Sequence, residues 1–232
     1  KLRQPRTNTA PSLLAFGNPS PQPTGETKAK PSALPTSRGA ALAPLPQSET
    51  EVNALARLYG ARHSRVYLGA EAREDRFKAE AGNYDVVHIA AHGLLNDTKP
   101  LYSQVVLAND GKPDSTEDGL LEAWELLKLN LRPDLVVLSA CETARGNVVA
   151  GEGVIGLSWA LFVAGAPTVV VSQWKVDADA TTTLMVEFHR QLRQRPSITK
   201  AEALRQAGLK LLRSSQRHPF YWAGFVAVGA AN

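Results

Sequence analysis

The sequence predicts an α/β fold with a mostly parallel central sheet that helices cover on both faces. Two observations support this prediction. Short, nearly continuous runs of aliphatic and β-branched residues, such as VVHIAAHG at 86–93, are typical of parallel strands buried on both faces. These runs alternate with segments whose apolar residues recur at helical spacing, and strands that alternate with helices build parallel sheets.

Composition indicates one globular domain over residues 1–232. The hydrophobic fraction is 44% and the charged fraction is 21% in a chain of 25.0 kDa. The single cysteine, Cys141, excludes an intramolecular disulfide and fits a reducing compartment. No apolar run approaches the roughly 20 residues of a membrane span, and the start lacks the apolar core of a signal peptide. We therefore expect a cytoplasmic protein that does not bind membranes.

The chain begins with Lys1 and reaches its first apolar strand after about a dozen residues. We therefore expect it to be the C-terminal part of a longer protein. The net charge of +4 raises the question of nucleic-acid binding. The positive residues, however, cluster on late helices without interleaved aromatic residues, which is typical of solvated helix faces. Direct binding of nucleic acid is not expected.

The first elements are a strand and a helix with a long connection between them. SLLAFGNP at 12–19 is predicted to be a buried strand. Residues 18–47 are rich in proline and small polar residues, a composition that cannot build a core, so we expect a mobile surface insertion. Ser48 and Glu51 are predicted to form a capping box for the next helix, which Gly60 ends.

The middle of the chain continues this alternation. A strand at 65–69 and a helix at 70–82 precede the strand at 86–93. LYSQVVLAND at 101–110 is predicted to be an edge strand, and LLEAWELLKL at 120–129 has the apolar spacing of a helix.

The last third supplies two buried strands, a third strand at the end, and three helices. A nearly all-apolar segment is predicted to form a helix that begins near Glu152, ends at Gly165 and packs deep against the sheet. Helix caps are expected at Asp177 or Asp179 and at Thr199 with Glu202. The strands are DLVVLSAC at 134–141, TVVVSQW at 168–174 and FVAVG at 225–229.

Two of these strands end at reactive side chains. VVHIAAHG runs into His92, and LVVLSACETARG at 135–146 delivers Cys141. Neighbouring parallel strands would bring a thiol and an imidazole together, which are a nucleophile and its base. Gly93 follows the histidine, and its amide together with that of Cys141 could form an oxyanion hole. The residues therefore predict a cysteine peptidase that needs neither a metal nor an organic cofactor.

These residues also allow other interpretations. A single cysteine can be a small buried core residue, but the chain turns polar at Glu142, directly after Cys141. His88 and His92 form an HxxxH pattern, which binds zinc when it lies on a helix, whereas VVHIA favours a strand. We expect His88 to be a core histidine or to support the catalytic residues from behind. Glu142 is also expected to support them. Ser139 lacks the GxSxG pattern of a serine nucleophile.

A candidate substrate pocket follows the strand at 168–174. Its end delivers Gln173 and Trp174 to the edge where the thiol is expected. Asp177 and Asp179 have two interpretations, helix capping or an acidic floor that selects Lys or Arg in the substrate. His189, on the following helix, shows no sign of a partner and is expected to be structural or exposed.

Five motifs together resemble the CHAT domain, a caspase-like peptidase family often fused to tetratricopeptide repeats. They extend over nearly the whole chain, and the same core looks like that of caspases, separases and gingipains. The resemblance implies a caspase-like three-layer α/β/α sandwich. It also implies that His92 is the family's HG histidine, that Cys141 is its nucleophile, and that SQWKVD belongs to the loop lining the specificity pocket. Many CHAT sequences carry two adjacent acids in that loop, whereas Ala178 separates the two aspartates here. The motifs are HIAAHG, LVVLSACETARG, GEGVIGLSWALFVAGAPTVVVSQWKVDADAT, ALRQA and HPFYWAGFVAVG.

The residues and the resemblance predict a cysteine endopeptidase that cleaves protein or peptide substrates through a His–Cys dyad. Control by a regulatory partner or by an upstream tetratricopeptide region is expected. The alternative is a catalytically silent or weakly active scaffold or switch, because the proline-rich stretch and the loop at 94–118 suit gating by a partner.

Overall fold

The structure, a computed structural model, describes most of the chain. Of residues 152–155 it describes the backbone alone. No helix among the described residues combines the length and the apolar character needed to cross a membrane. The described residues are 10–20, 42–110, 112, 116–139, 152–174 and 176–230.

A six-stranded sheet forms the centre of the molecule, in the order β2-β1-β3-β7-β8-β9. All neighbouring pairs are parallel except β8 with β9, which closes one edge antiparallel. The predicted α/β fold with a mostly parallel central sheet is therefore confirmed. The strands are β1 (Leu13–Pro19), β2 (Ser64–Gly69), β3 (Val86–Ala90), β7 (Leu135–Leu138), β8 (Thr168–Ser172) and β9 (Phe225–Gly229).

Helices cover both faces of this sheet and complete three layers. One face packs against α1, α5 and α6, and the other packs against α2, α3 and α4. Strand β3 shows why its sequence is nearly continuous in apolar residues, with His88 as the exception. Val87 and Ile89 pack in the core on the side of α2, α3 and α4, whereas Val86 and Ala90 pack in the core on the side of α1, α5 and α6. The helices are α1 (Pro46–Tyr59), α2 (Glu74–Glu80), α3 (Ala123–Leu126), α4 (Glu152–Ala164), α5 (Ala178–Gln194), α6 (Lys200–Leu212) and α7 (Pro219–Trp222).

A second, three-stranded antiparallel sheet replaces two predicted elements. It consists of β4 (Gly93–Leu94), β5 (Gln104–Val106) and β6 (Leu120–Glu122), in that order. The predicted edge strand at 101–110 is thus the central strand of a separate sheet. The predicted helix at 120–129 was wrong in its first half, because residues 120–122 pair with β5 and only the short α3 follows.

The start of α1 also differs from the prediction. The helix begins at Pro46, so Ser48 lies inside its first turn and does not cap it. The Ser48 hydroxyl donates to the carbonyl of Leu45, 2.7 Å away, and Glu51 is buried against the sheet. The same hydroxyl accepts from the backbone amide of Asn18 in β1 at 2.8 Å, so tertiary contacts involve both residues of the predicted capping box. The two ends of the predicted insertion at 18–47 belong to β1 and α1. Its residues 21–41 lie outside the described residues.

Helix α4 is less deeply packed than its sequence predicts. Leu157 and Leu161 are buried in the core, but Trp159 and Val163 are each 52% exposed on its outer side. Although the residues of this helix are apolar all round, only one side of it is buried.

A buried chain of hydrogen bonds joins α1, β3 and α5. Glu51 Oε1 lies 2.6 Å from Nε2 of His88, whose Nδ1 lies 3.2 Å from Nε2 of His189. The Nδ1 atom of His189 lies 3.0 Å from the hydroxyl of Tyr59. None of these four side chains is more than 3% exposed. We call this set the polar relay; it starts and ends on α1, about 12 Å apart along the helix axis.

One arrangement of protons satisfies every bond of the polar relay. Tyr59 donates to Nδ1 of His189, Nε2–H of His189 donates to His88, and Nε2–H of His88 donates to the Glu51 carboxylate. Both imidazoles are then neutral. Burial, with His88 nearby as a further cause, holds the pKa of His189 well below its usual range, which agrees with this arrangement.

On the other face of the central sheet, Lys78 joins α2 to α3 and to the loop before β6. Its Nζ lies 2.6 Å from Glu117, 2.7 Å from Glu74 and 2.8 Å from Glu125. Glu74 is buried, and its other oxygen accepts from the amide of Gly119 at 2.8 Å. Burial raises the pKa of Glu74 to about 7, although the hydrogen bond from Lys78 acts against this rise.

We expect Lys78→Met to lower the free energy of unfolding by about 3 kcal/mol, because it leaves a buried carboxylate beside two others without a cation. Urea unfolding at pH 7.5 measures this loss. Arg205→Met is the matched control, since Arg205 pairs with Glu202 on the exposed side of α6 and should leave the unfolding midpoint unchanged. Equal effects of the two variants would contradict the role given to Lys78.

The polar relay predicts a pH-dependent stability. His189 stays neutral in the folded state, whereas the unfolded chain takes up a proton there below about pH 6.5. The His189 contribution to the free energy of unfolding is therefore complete above that pH and falls with decreasing pH, by at most ~1.4 kcal/mol per pH unit. Glu74, whose folded pKa is raised, acts in the opposite direction, so the comparison must be between variants.

We expect the stability difference between the wild-type chain and His189→Gln to shrink as the pH falls from 7.5 to 5.5, because only the wild type carries the titrating group. Urea unfolding at several pH values measures it. His63→Gln, at an exposed position outside the polar relay, is the control for the loss of an imidazole. A constant difference for His189→Gln would show that this imidazole is not held neutral.

Candidate active site

His92 lies where the chain passes from the large sheet to the small one. It follows β3 by two residues and directly precedes β4. Its backbone carbonyl accepts from the amide of Val106 in β5, at 2.8 Å. The side chain is only 6% exposed. The histidine is therefore held at the carboxyl edge of the central sheet, as the sequence predicts.

The imidazole of His92 binds a backbone carbonyl. Its Nε2 lies 2.8 Å from the oxygen of Ala43. A carbonyl only accepts hydrogen bonds, so Nε2 carries a proton. In the neutral ring Nδ1 is then the acceptor, which is the form that a general base requires.

Ala43 belongs to a short segment that precedes α1, residues 42–45, which we call the strap. It has neither helical nor strand structure, and the residue Ala43 is exposed although its carbonyl reaches a buried ring. Sequence reasoning missed this contact and placed the strap in a surface insertion. No side-chain pattern could have revealed it, because the contacting group is a backbone carbonyl that every residue has.

Gly93 faces Val105 across the β4–β5 ladder. Because the His92 carbonyl accepts from the Val106 amide, Gly93 and Val105 form a pair of the non-hydrogen-bonded type. The amide of Gly93 is therefore not a donor in this ladder and points away from β5. This orientation suits the predicted oxyanion role, which stays a prediction.

The strand next to β3 leads toward the predicted nucleophile. Ile89 of β3 pairs with Leu138 of β7, and the amide of Ser139 donates to the Ile89 carbonyl at 2.9 Å. Cys141 and Glu142 lie outside the described residues. Their predicted roles stay predictions.

The predicted pocket residues Gln173 and Trp174 follow β8. Gln173 is exposed, and its amide donates to the carbonyl of Gly224 at 2.7 Å. The indole of Trp174 donates to the carbonyl of Phe220 at 3.3 Å. A Cβ atom on Gly224 would lie 3.2 Å from this indole, so the ring packs closely on that backbone. Trp174 is thereby placed against the segment that leads from α7 into β9.

The two aspartates of this segment have different surroundings. Asp177 caps α5, since its Oδ1 accepts from the amide of Ala180 at 2.9 Å. Asp179 is exposed. A groove of about 330 Å³ lies between the first turns of α1 and α5, both of which start at the carboxyl edge of the sheet. Its lining consists of Pro46, Gln47, Thr50, Asp179, Thr182 and Thr183.

His88 lies within the central sheet, fully buried, and takes part in the polar relay. This agrees with the expectation of a core or supporting histidine. The relay also contains His189, which is completely buried, so of the two expected alternatives the exposed one is excluded. The sequence contained a signal for this burial, because His189 falls beside Met185 and Phe188 on the apolar side of α5, and a buried imidazole needs a hydrogen-bond partner. Within the described ranges, no group of three or more His, Cys, Asp or Glu side chains is arranged as metal ligands would be.

Two curated relatives share part of this sequence. The mouse tetratricopeptide repeat protein 28 is 37% identical over 113 residues, which is 48% of this chain and 4% of the relative. The human tetratricopeptide repeat protein 28 is 28% identical over 223 residues, 81% of this chain and 8% of the relative. The chain thus spans less than a tenth of the length of these relatives.

Three solved structures share this fold with the chain, and one of them is described as a cysteine proteinase. The separase of the Saccharomyces cerevisiae separase–securin complex superposes with a TM-score of 0.58 at 13% identity, covering 95% of this chain and 12% of that one. The Arg-specific cysteine proteinase gingipain R gives 0.56 at 11% identity, over 95% of this chain and 46% of its own. Caspase-1 from Spodoptera frugiperda gives 0.51 at 10% identity, over 98% and 93%. At these identities the similarity establishes a caspase-like fold.

The family model of the CHAT domain matches residues 1–230, nearly the whole chain. With this match, and with the caspase-like architecture of its central sheet, the chain belongs to the CHAT domain family.

Proposed function

We propose that this chain is a cysteine endopeptidase that cleaves protein substrates with Cys141 as nucleophile and His92 as base. The observation that carries this proposal is the hydrogen bond between His92 and Ala43. It keeps the proton on Nε2 and leaves Nδ1 as the acceptor at the carboxyl edge of the sheet, where an incoming nucleophile would be deprotonated.

The strand register supports Cys141 as the partner of this base. His92 follows Ile89 by three residues, and Cys141 follows Leu138, the residue paired with Ile89, by the same number. Cys141 comes two positions after Ser139, so the length of the chain keeps the two Cα atoms within roughly 7 Å of each other. Adjacent strands are about 4.8 Å apart, and this spacing supports the assignment of the two residues as nucleophile and base.

The reaction then has two stages. The Cys141 sulfur attacks the scissile carbonyl carbon, and the amides of Gly93 and Cys141 hold the resulting oxyanion. When the C–N bond breaks, protonated His92 gives its Nδ1 proton to the leaving amine. A water molecule that loses a proton to His92 then attacks the thioester and releases the acid and the thiolate.

We propose that a region or protein outside this chain controls the reaction. The relatives in mouse and human are tetratricopeptide repeat proteins of which this chain covers a small part. A repeat region upstream of this chain, or a separate regulatory protein, would deliver substrates or hold the site inactive. A scaffold or switch function without cleavage is the competing proposal.

We also propose that Asp179, rather than Asp177, selects a basic residue in the substrate. The Asp177 carboxylate already binds the first turn of α5, whereas the Asp179 side chain is exposed and lines the groove beside α1. A carboxylate at the rim of a groove can pair with a Lys or Arg side chain without first losing a hydrogen bond. Gln173 and Trp174 are proposed to bind the neighbouring substrate backbone.

We expect Cys141→Ala and His92→Ala each to lower peptide cleavage by about 1,000-fold or more, and the double variant to lose no more than either one, because the pair acts as a unit. Cleavage of a protein or peptide library by the 232-residue chain measures this. His63→Ala, at an exposed position, is the control. Residual cleavage by Cys141→Ala at the wild-type rate would contradict the assignment of the nucleophile.

The pH dependence of alkylation at Cys141 separates the peptidase from the scaffold. A thiol paired with His92 should react with a pKa below the ordinary value of about 8.5, and His92→Ala should restore that value. An ordinary thiol in the wild-type chain, alone and with candidate partners, would favour the scaffold.

For substrate selection we expect Asp179→Asn to lower kcat/KM for cleavage after Lys or Arg by about 10-fold, because the charge that pairs with the basic side chain is lost. Asp177→Asn is the matched control: asparagine caps helices as well as aspartate does, so only the charge changes. Cleavage of paired substrates that differ in the basic residue measures both effects. A larger loss with Asp177→Asn would reverse the assignment.

A further inference from the structure

The strap itself has no regular structure that would hold its carbonyl in place. Residues 42–45 lie outside every helix and strand, and Ala43 and Pro44 are exposed. The hydrogen bond that sets the tautomer of His92 therefore depends on whatever binds the strap nearby. The contacts of Leu45, two residues beyond Ala43, identify this support.

Asn18 holds the strap with both ends of its side-chain amide. Its Oδ1 accepts from the amide of Leu45 at 2.6 Å, and its Nδ2 donates to Oε1 of Glu49 in the first turn of α1 at 2.6 Å. Its backbone amide donates to the hydroxyl of Ser48 at 2.8 Å. That hydroxyl donates in turn to the Leu45 carbonyl at 2.7 Å. The amide and the carbonyl of Leu45 are thus both bound through Asn18 or its partner.

The backbone around Asn18 is shaped for this contact. Asn18 has φ of 46°, and it is the one residue other than glycine with a left-handed backbone in the described part of the chain. Asparagine adopts this conformation more readily than most residues, but it still costs free energy. The preceding Gly17 lets α1 approach closely, since a Cβ atom there would lie 2.8 Å from Val52 and 3.0 Å from the Ser48 carbonyl. The end of β1 therefore accepts strain at the point where it binds the strap.

We propose that Asn18 is a positioning residue for His92: by binding Leu45 and Glu49 it holds the strap so that the Ala43 carbonyl accepts from Nε2 of the imidazole. The role in catalysis rests on the proposed peptidase function. The role in setting the tautomer of the ring does not, because it concerns contacts within the described domain alone.

The distance along the chain makes this control effective. Ala43 is two residues from Leu45, so little backbone freedom lies between the bound amide and the carbonyl that faces His92. Removing the side-chain amide of Asn18 releases the strap at Leu45, the residue next to α1. The ring then loses its defined acceptor, both neutral tautomers become populated, and the fraction of rings with an unprotonated Nδ1 falls.

The test is Asn18→Gly, because glycine keeps the left-handed backbone and removes only the side-chain bonds. ¹⁵N NMR of the imidazole in the labelled chain should show His92 protonated at Nε2 in the wild type and a mixture of tautomers in the variant. With an active chain, kcat should fall by about 10-fold or more while KM changes by less than about 2-fold. Asn130→Gly, an exposed change in the loop before β7 at the opposite edge of the sheet, should alter neither.

A polarity exchange provides the rescue. The double variant Asn18→Asp with Glu49→Gln keeps an oxygen that accepts from the Leu45 amide. In its bond between residues 18 and 49 the glutamine donates and the aspartate accepts. The Nε2 tautomer and kcat should therefore return to their wild-type values. Asn18→Asp alone sets two carboxylates against each other and should not recover them. Ser48→Ala, which removes the hydroxyl between Asn18 and Leu45, should shift the tautomer in the same direction and serves if Asn18→Gly does not fold.

Unchanged His92 signals and unchanged kcat in Asn18→Gly would overturn the proposal. So would a loss of kcat without a change of tautomer, because Asn18 would then act only through stability. If the wild-type chain cleaves nothing under any condition, the peptidase function fails, and the NMR comparison alone still decides whether Asn18 sets the tautomer.

Discussion

The hydrogen bond between the His92 imidazole and the Ala43 carbonyl makes the start of α1 part of the candidate site. A histidine at the end of a strand can rotate and exchange its proton between two nitrogens. A backbone carbonyl removes this freedom, because it can only accept. The rest of this edge serves that contact: the small sheet holds the backbone of His92, and β1 holds the strap through Asn18.

Helix α1 therefore needs a fixed position on the sheet. Its apolar side packs on one face, but apolar packing alone tolerates small shifts along the helix axis. The polar relay resists such shifts, since Glu51 and Tyr59 bind two imidazoles that belong to β3 and α5. Polar groups buried this deeply are costly when unpaired, so their mutual satisfaction specifies one arrangement of the three elements.

Much of this architecture could be predicted from local sequence. Near-continuous apolar runs predicted the parallel strands, and the caps at Asp177 and Thr199 are present as expected. The errors occur where tertiary contacts override a local pattern. The segment at 120–122 has helical spacing but pairs with β5, and Glu51 leaves a predicted capping box to bind His88 inside the core. In both cases a long-range hydrogen bond gained on folding outweighs a weak local preference.

By itself the sequence determined the fold class, the family resemblance and the positions of His92 and Gly93 after a strand of the central sheet, because periodicity and motif order are local properties. Only the tertiary structure decided which nitrogen of His92 carries the proton, which aspartate is occupied as a helix cap, and which carbonyl faces the ring. These depend on contacts between residues far apart in the chain, one of them a main-chain oxygen. A carbonyl has no signature in the sequence, so its role emerges only when folding brings the strap to His92.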